Sequence, residues 1–123
     1  MAIDHVTIKV KDLDAAKKFY AAALAPLGYS LIMEVEGFAG LGVGGKPDLW
    51  LAKYAETLPP AHVAIAGESK AKIDAFHDAA LKAGGKDNGQ PGTRAEYHPG
   101  YYGAFVYDPE GNNLEAVIHN FQA

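Results

Sequence analysis

Two histidines and one glutamate are the side chains whose types and spacing can do chemistry in this chain. His5 opens the run Asp4-His5-Val6-Thr7-Ile8, and His62 opens Ala61-His62-Val63-Ala64-Ile65, 57 residues later. Carried along residues 4–29, that offset gives eight identities: His5/His62, Val6/Val63, Ile8/Ile65, Phe19/Phe76, Ala22/Ala79, Ala23/Ala80, Leu24/Leu81 and Gly28/Gly85. Duplicated units commonly pack about a pseudo-twofold axis, so equivalent side chains can converge on one point, and two converging imidazoles suggest a metal. Glu115 is the third member. It interrupts a strand-like run of Leu114, Ala116, Val117 and Ile118, where a carboxylate is costly unless it faces a cavity, a cation or a partner. Two neutral imidazoles and one carboxylate hold a divalent ion and leave coordination positions open. His5, His62 and Glu115 are therefore the expected ligands of iron, manganese, nickel or zinc, with Glu115 also a candidate catalytic group.

The elements that must position these residues can be read from periodicity. Val6, Ile8 and Val10 alternate with His5, Thr7 and Lys9, which predicts a strand with its histidine facing away from the core. Asp12 can cap a helix in which Leu13, Ala16, Phe19, Tyr20, Ala23, Leu24 and Leu27 recur at helical spacing, ending near Gly28. Strands are expected over roughly 29–36, 38–43 and 48–54, separated by turns at Gly37 and Gly44-Gly45-Lys46-Pro47. After Pro59-Pro60 the order repeats: a strand over 61–66, a helix from about Ser69 to Ala83, a glycine-rich polar stretch over 84–100, a strand over 102–107, a turn at Asp108 to Asn112 and a strand over 113–119. The fold class is α+β, with two βαβββ modules, 1–57 and 58–123, in one domain spanning 1–123.

Aligning the last strands of the modules sets Trp50 opposite Glu115. Trp50 is expected to wall the pocket, together with Thr7, which shares a strand face with His5, and Tyr102 from the second module. The segment Glu96-Tyr97-His98-Pro99-Gly100-Tyr101-Tyr102-Gly103 has the composition of a loop able to close over a ligand, and Tyr101 or His98 could serve as acid or base. His119, four residues after Glu115, shares its strand face or lies beyond the sheet edge; His77 replaces Tyr20 of the first helix and reads as structural.

Composition bounds the rest. The 123 residues carry a net charge of −4, no cysteine, and Arg94 as the sole arginine. Disulfides and thiolate ligands are excluded, so a metal must be held by nitrogen and oxygen. No basic stripe is present to follow a phosphate backbone, which argues against nucleic acid. No apolar run approaches the roughly 20 residues that span a bilayer, and no leader pattern opens the chain. A cytoplasmic protein acting on a small molecule, with no membrane partner, is expected.

With these residues in place, the sequence resembles the vicinal oxygen chelate superfamily, which includes glyoxalase I, fosfomycin-resistance proteins, bleomycin-resistance proteins and type I extradiol dioxygenases. The resemblance runs over essentially the whole chain, through Asp4-His5-Val6, His62-Val63-Ala64 and Phe105-Val106-Tyr107-Asp108-Pro109-Glu110-Gly111-Asn112-Asn113-Leu114-Glu115. It implies paired modules curved into a cup, helices on the convex face, and a metal held by His5, His62 and Glu115. It also implies a departure. Trp50 occupies the neighbourhood of the fourth protein ligand of glyoxalase I, so the pair of carboxylates that shuttles a proton in that enzyme is lacking.

Two functions follow from the resemblance: a metal-dependent lyase, isomerase or dioxygenase whose substrate chelates through vicinal oxygens, or a bleomycin-resistance type protein that sequesters its ligand without chemistry. A homodimer is expected, its cup closing within one chain or by module exchange with a second.

Overall fold

Alternation in the first strand and helical spacing behind it decide the first module. In this computed structural model, which describes residues 3–122, β1 (Val6–Val10) buries Ile8 and Val10 and exposes Thr7 and Lys9. Helix α1 (Leu13–Leu24) starts where the Asp12 carboxylate accepts the Ala15 N–H at 3.0 Å, a cap that contributes about 1 kcal/mol. It runs into a 3₁₀ turn (Ala25–Leu27) that ends at Gly28, whose φ of +88° only glycine adopts freely. Three strands follow: β2 (Ser30–Val35), β3 (Phe38–Val43) and β4 (Lys46–Lys53). They form a four-stranded sheet in the order β1-β4-β3-β2, with β1 parallel to β4 and the other pairs antiparallel.

The second module repeats this plan. Strand β5 (His62–Ala66) leads to α2 (Lys70–Lys82), capped by Ser69, and then to β6 (Lys86–Thr93), β7 (Tyr102–Tyr107) and β8 (Asn113–Ile118). The sheet order is β5-β8-β7-β6. Strand β6 lies within the polar stretch that carries no strand signature in the sequence. Its residues, Lys-Asp-Asn-Gly-Gln-Pro-Gly-Thr, have no apolar alternation, and its pairing with β7 shifts register on either side of Gly89. It is a sheet edge held by one neighbour, where Pro91 is tolerated.

The two sheets are separate, and the helices join the modules. Ile8, Leu49 and Leu51 of the first sheet and Ala104, Leu114 and Ala116 of the second turn toward α1 and α2, which pack on each other. Among the described residues, three polar contacts cross the junction. Tyr20 Oη donates to Asp108 at 2.6 Å, and the Glu110 carboxylate accepts the N–H groups of Lys11 and Asp12 at 2.8 Å each, placing negative charge at the positive end of α1. No helix among the described residues is long and apolar enough to cross a membrane.

Candidate functional site

Each sheet turns one face to the helices, and strand register fixes what stands on the other. On the second sheet Ala64 of β5, Glu115 of β8 and Phe105 of β7 form one row. On the first, Thr7 of β1, Trp50 of β4 and Gly40 of β3 form the equivalent row. The register thus matches Trp50 to Glu115, as the aligned sequence expects.

Glu115 is only 2% exposed, and both of its oxygens are engaged. His62 Nε2 lies 2.8 Å from Oε1, and Tyr101 Oη donates to Oε2. Since a carboxylate accepts, His62 carries its proton on Nε2 here. Burial, and then the hydrogen bond and charge of Glu115, hold the Tyr101 hydroxyl well above the usual phenol range, so it stays a donor at neutral pH. Gly103 makes this contact possible: a Cβ there would lie 3.1 Å from the Tyr101 ring and 3.5 Å from Glu115 Oε2.

The loop carrying Tyr101 is held by its own side chains. Tyr97 meets Tyr101 edge-on with centroids 4.9 Å apart, and the rings of His98 and His119 flank Tyr101 at 5.4 and 5.3 Å. His98 Nδ1 donates to the Pro99 carbonyl at 2.7 Å, so in the neutral ring Nε2 accepts, and His119 Nδ1 supplies the proton across 2.9 Å. Arg94 is tied to the Gln90 and Thr93 carbonyls and lies over Phe105.

The first sheet positions its candidates differently. His5 immediately precedes β1, with Nδ1 2.9 Å from Asp4, and the other Asp4 oxygen takes Lys46 Nζ at 2.9 Å. Hydrogen bonds from His5 and then Lys46 hold the Asp4 carboxyl below its usual range. Trp50 covers Gly40, where an added Cβ would come within 2.9 Å of the ring. Tyr102, expected at the pocket, stands on the helix side instead. Strand alternation sends it away from Tyr101 into the core, with its hydroxyl 2.6 Å from Asp74 of α2. His77 is buried and bonded to Asp87 of β6 at 2.8 Å.

The fold thus gathers His62, Glu115 and Tyr101, with His98 and His119 behind them, and leaves His5, Thr7 and Trp50 on the other sheet. Phe105, Gly103 and Asn113 join the first group without having been singled out in the sequence. Alternation within 102–107 could have placed Gly103 and Phe105 opposite Tyr102. Asn113, in register with His62, has its Oδ1 buried without a hydrogen-bond partner.

Do these residues fit a divalent ion? A separation of 2.8 Å between His62 Nε2 and Glu115 Oε1 is that of neighbouring ligand atoms around an ion with bonds of about 2.0–2.2 Å. An ion would replace the shared proton. Among the described residues, however, no three histidine, aspartate or glutamate side chains gather around one point. Within one chain His62 and Glu115 stand at that separation, and His5 bonds Asp4 instead.

A family profile described as Glyoxalase/Bleomycin resistance protein/Dioxygenase superfamily matches residues 2–116. Among solved structures, the chain is similar to a glyoxalase/bleomycin resistance protein from Albidiferax ferrireducens T118, at 28% identity and a TM-score of 0.82, covering 95% of this chain and 98% of that one. A lactoylglutathione lyase from Agrobacterium tumefaciens, at 20% identity and a TM-score of 0.70, covers 94% of this chain and 92% of its own. A glyoxalase/bleomycin resistance protein/dioxygenase family enzyme from Burkholderia phytofirmans PsJN, at 23% identity and a TM-score of 0.72, covers 93% and 95%. The last two likenesses establish the fold alone. No curated protein matches the chain.

Proposed function

Because the chain belongs to the glyoxalase/bleomycin resistance protein/dioxygenase superfamily, we propose that it is a metal-dependent enzyme acting on a small molecule through two adjacent oxygens. The observation that carries this reading is the buried Glu115 carboxylate on the sheet face away from the helices, with His62 at one oxygen and Tyr101 at the other. His62 and Glu115 hold the ion from one chain, and His5 of a second copy supplies the third ligand. When bound, the ion supplies Lewis acidity toward a carbonyl or hydroxyl pair.

Two features support the second copy. β1 and β5 are both edge strands with one side unpaired, and exposed edges call for a cover. A cleft of about 560 Å³ also lies between them, lined by Val6 and Leu49 on one side and by Val63 and Ile65 on the other. A twofold pairing over such a surface would bring equivalent edges together.

Each side chain then has a task. Tyr101 neutralises part of the carboxylate charge and leaves Glu115 only Oε1, beside His62, to offer an ion, and His98 and His119 hold Tyr101 in place. With one carboxylate, a proton can be taken up at Glu115, but a second carboxylate is absent on the Trp50 side. The chemistry best suited is therefore electrophilic activation of the substrate oxygens rather than a two-carboxylate proton shuttle.

Mixing two inactive variants tests the arrangement. His5→Ala and Glu115→Ala proteins should each lose stoichiometric zinc or nickel and form dimers by light scattering. Co-refolded in equal amounts, they should recover about a quarter of the wild-type metal content, because half of randomly paired dimers regain one intact site. No recovery would place all three ligands within one chain or none at a metal. Ligand binding undiminished in both variants would indicate a sequestering protein instead.

A further inference from the structure

Two histidines outside the His62–Glu115 pair face each other where the 97–101 segment meets the end of β8. His98 Nε2 and His119 Nδ1 lie 2.9 Å apart, with ring planes 25° apart. They stand 21 positions apart in the chain, so their meeting is a product of the fold. Backbone contacts fix it. The Tyr101 N–H donates to the His98 carbonyl at 3.3 Å, and the Phe121 N–H donates to the Gly100 carbonyl at 2.9 Å, which sets the segment against the chain leaving β8. Gly100 permits that approach, because a Cβ there would lie 2.6 Å from the His119 carbonyl oxygen.

Proton placement prepares the pair to bind an ion. His98 Nδ1 donates to the Pro99 carbonyl at 2.7 Å, which leaves the lone pair on Nε2, and a bond from the far ring nitrogen to a backbone carbonyl is one that metal-bound histidines make. His119 Nδ1 carries the proton between the rings. An ion would displace that proton to His119 Nε2 or to solvent, leaving two lone pairs for one centre. His119 is exposed and His98 partly so, which gives both rings room for the small turn this requires.

Spacing selects the ion. Two nitrogens bound at about 2.0 Å stand about 2.8 Å apart along the edge of a square plane and about 3.3 Å apart in a tetrahedron. The observed 2.9 Å matches the square-planar edge. Copper(II) favours that geometry, and among the divalent ions of the first transition row it binds nitrogen most tightly.

We propose that His98 and His119 form a second metal site, a two-nitrogen site for copper(II) with water in the remaining positions, and that the ion ties the Tyr101 segment to the end of β8. The site shares no ligand with the set of His5, His62 and Glu115 and does not depend on that reading. With two protein donors it is the weaker of the two, and it fills only at higher ion concentration.

Copper(II) is titrated into His62→Ala protein, in which the Glu115 site is disabled. One equivalent should bind with the electron paramagnetic resonance signal of an ion held by two nitrogens, and hydrogen exchange over residues 97–101 should slow about fivefold or more. His98→Ala and His119→Ala, added singly, should each lower copper affinity about 10-fold or more and restore the faster exchange. The two changes together should lose little beyond either alone, since both rings act on one ion. The same changes made in His5→Ala protein, whose altered residue is exposed, repeat the comparison on a less disturbed fold. Copper affinity unchanged by either substitution, or a one-nitrogen signal lost with only one of the two histidines, overturns the proposal and leaves an adventitious ion only. A two-nitrogen signal with unchanged exchange sustains the site and overturns the tie.

Discussion

On the second sheet, the row across the open face runs from Ala64 through Glu115 to Phe105; on the first, it runs from Thr7 through Trp50 to Gly40. Where one module places a carboxylate beside an aromatic ring, the other places an aromatic ring beside a glycine. The second face is also roofed by Tyr101 and the histidines behind it, whereas the first leaves Met33, Val35 and Phe38 open. Duplication therefore preserved the frame and divided the side chains: one face buries a carboxylate, and the other exposes apolar groups.

The equivalent histidines offer the strongest way to break that comparison. Both His5→Ala and His62→Ala should weaken metal binding by more than about 100-fold, since loss of a ligand exceeds the 10–100-fold effect of losing an outer partner. Their effects on the metal-free protein should differ. His62→Ala removes one partner of a buried carboxylate and should cost about 1–3 kcal/mol in urea unfolding; His5→Ala alters an exposed residue and should stay within about 0.5 kcal/mol. Equal stability losses would contradict the division between the faces.

Tyr101→Phe sharpens it next. The change deletes the donor to Glu115 Oε2 while retaining the ring stacks with Tyr97, His98 and His119. Metal affinity should fall about 10–100-fold, and the cobalt-loaded variant should show an altered visible spectrum as the carboxylate gains freedom. An unchanged spectrum and affinity would make Tyr101 a roof only.

Much of this division was legible before the structure. His62 and Glu115 declare themselves because a histidine repeats and a carboxylate interrupts an apolar run. Register then places them together. The separation of His5 from that pair was not legible, because it depends on how α1 packs against α2 and not on any strand's own pattern. β6 was hidden for a different reason: its pairing is carried by backbone hydrogen bonds at an edge, so its side chains need not alternate. The Tyr101 contact depends on Gly100, whose φ is +90° and where a Cβ would meet the His119 carbonyl at 2.6 Å, and on space over Gly103. Loop composition points to the segment but not to the atom it reaches.

A smaller test concerns the helices. Tyr20 and His77 occupy equivalent positions, yet Tyr20 reaches across to Asp108 of the other module while His77 bonds Asp87 within its own. Tyr20→Phe should cost about 1–1.5 kcal/mol, because Asp108 retains Asn112 Nδ2 and two backbone donors. His77→Phe should act mainly through acid. The hydrogen bond from His77, then the Gly89 N–H, hold the Asp87 carboxyl below its usual range. That contribution is complete above the ordinary carboxylate range and is lost as pH falls through the lowered value, so wild type and variant should converge in acid unfolding.

Gly40→Ala is expected to have a small effect on stability, and it addresses the comparison most directly. A Cβ at residue 40 would lie 2.9 Å from two atoms of the Trp50 ring and 3.0 Å from Pro47 Cβ. Trp50 is only partly buried, so its ring can shift instead of forcing the backbone, and the cost should be about 1 kcal/mol or less. The shifted ring meets more water, and its emission should move to the red in the metal-free protein. Metal content should be unaffected, since Gly40 stands on β3, separated by β4 from the strand that His5 precedes, and on the sheet that holds neither Glu115 nor His62. A variant that lost metal along with the red shift would couple two faces that the register keeps apart.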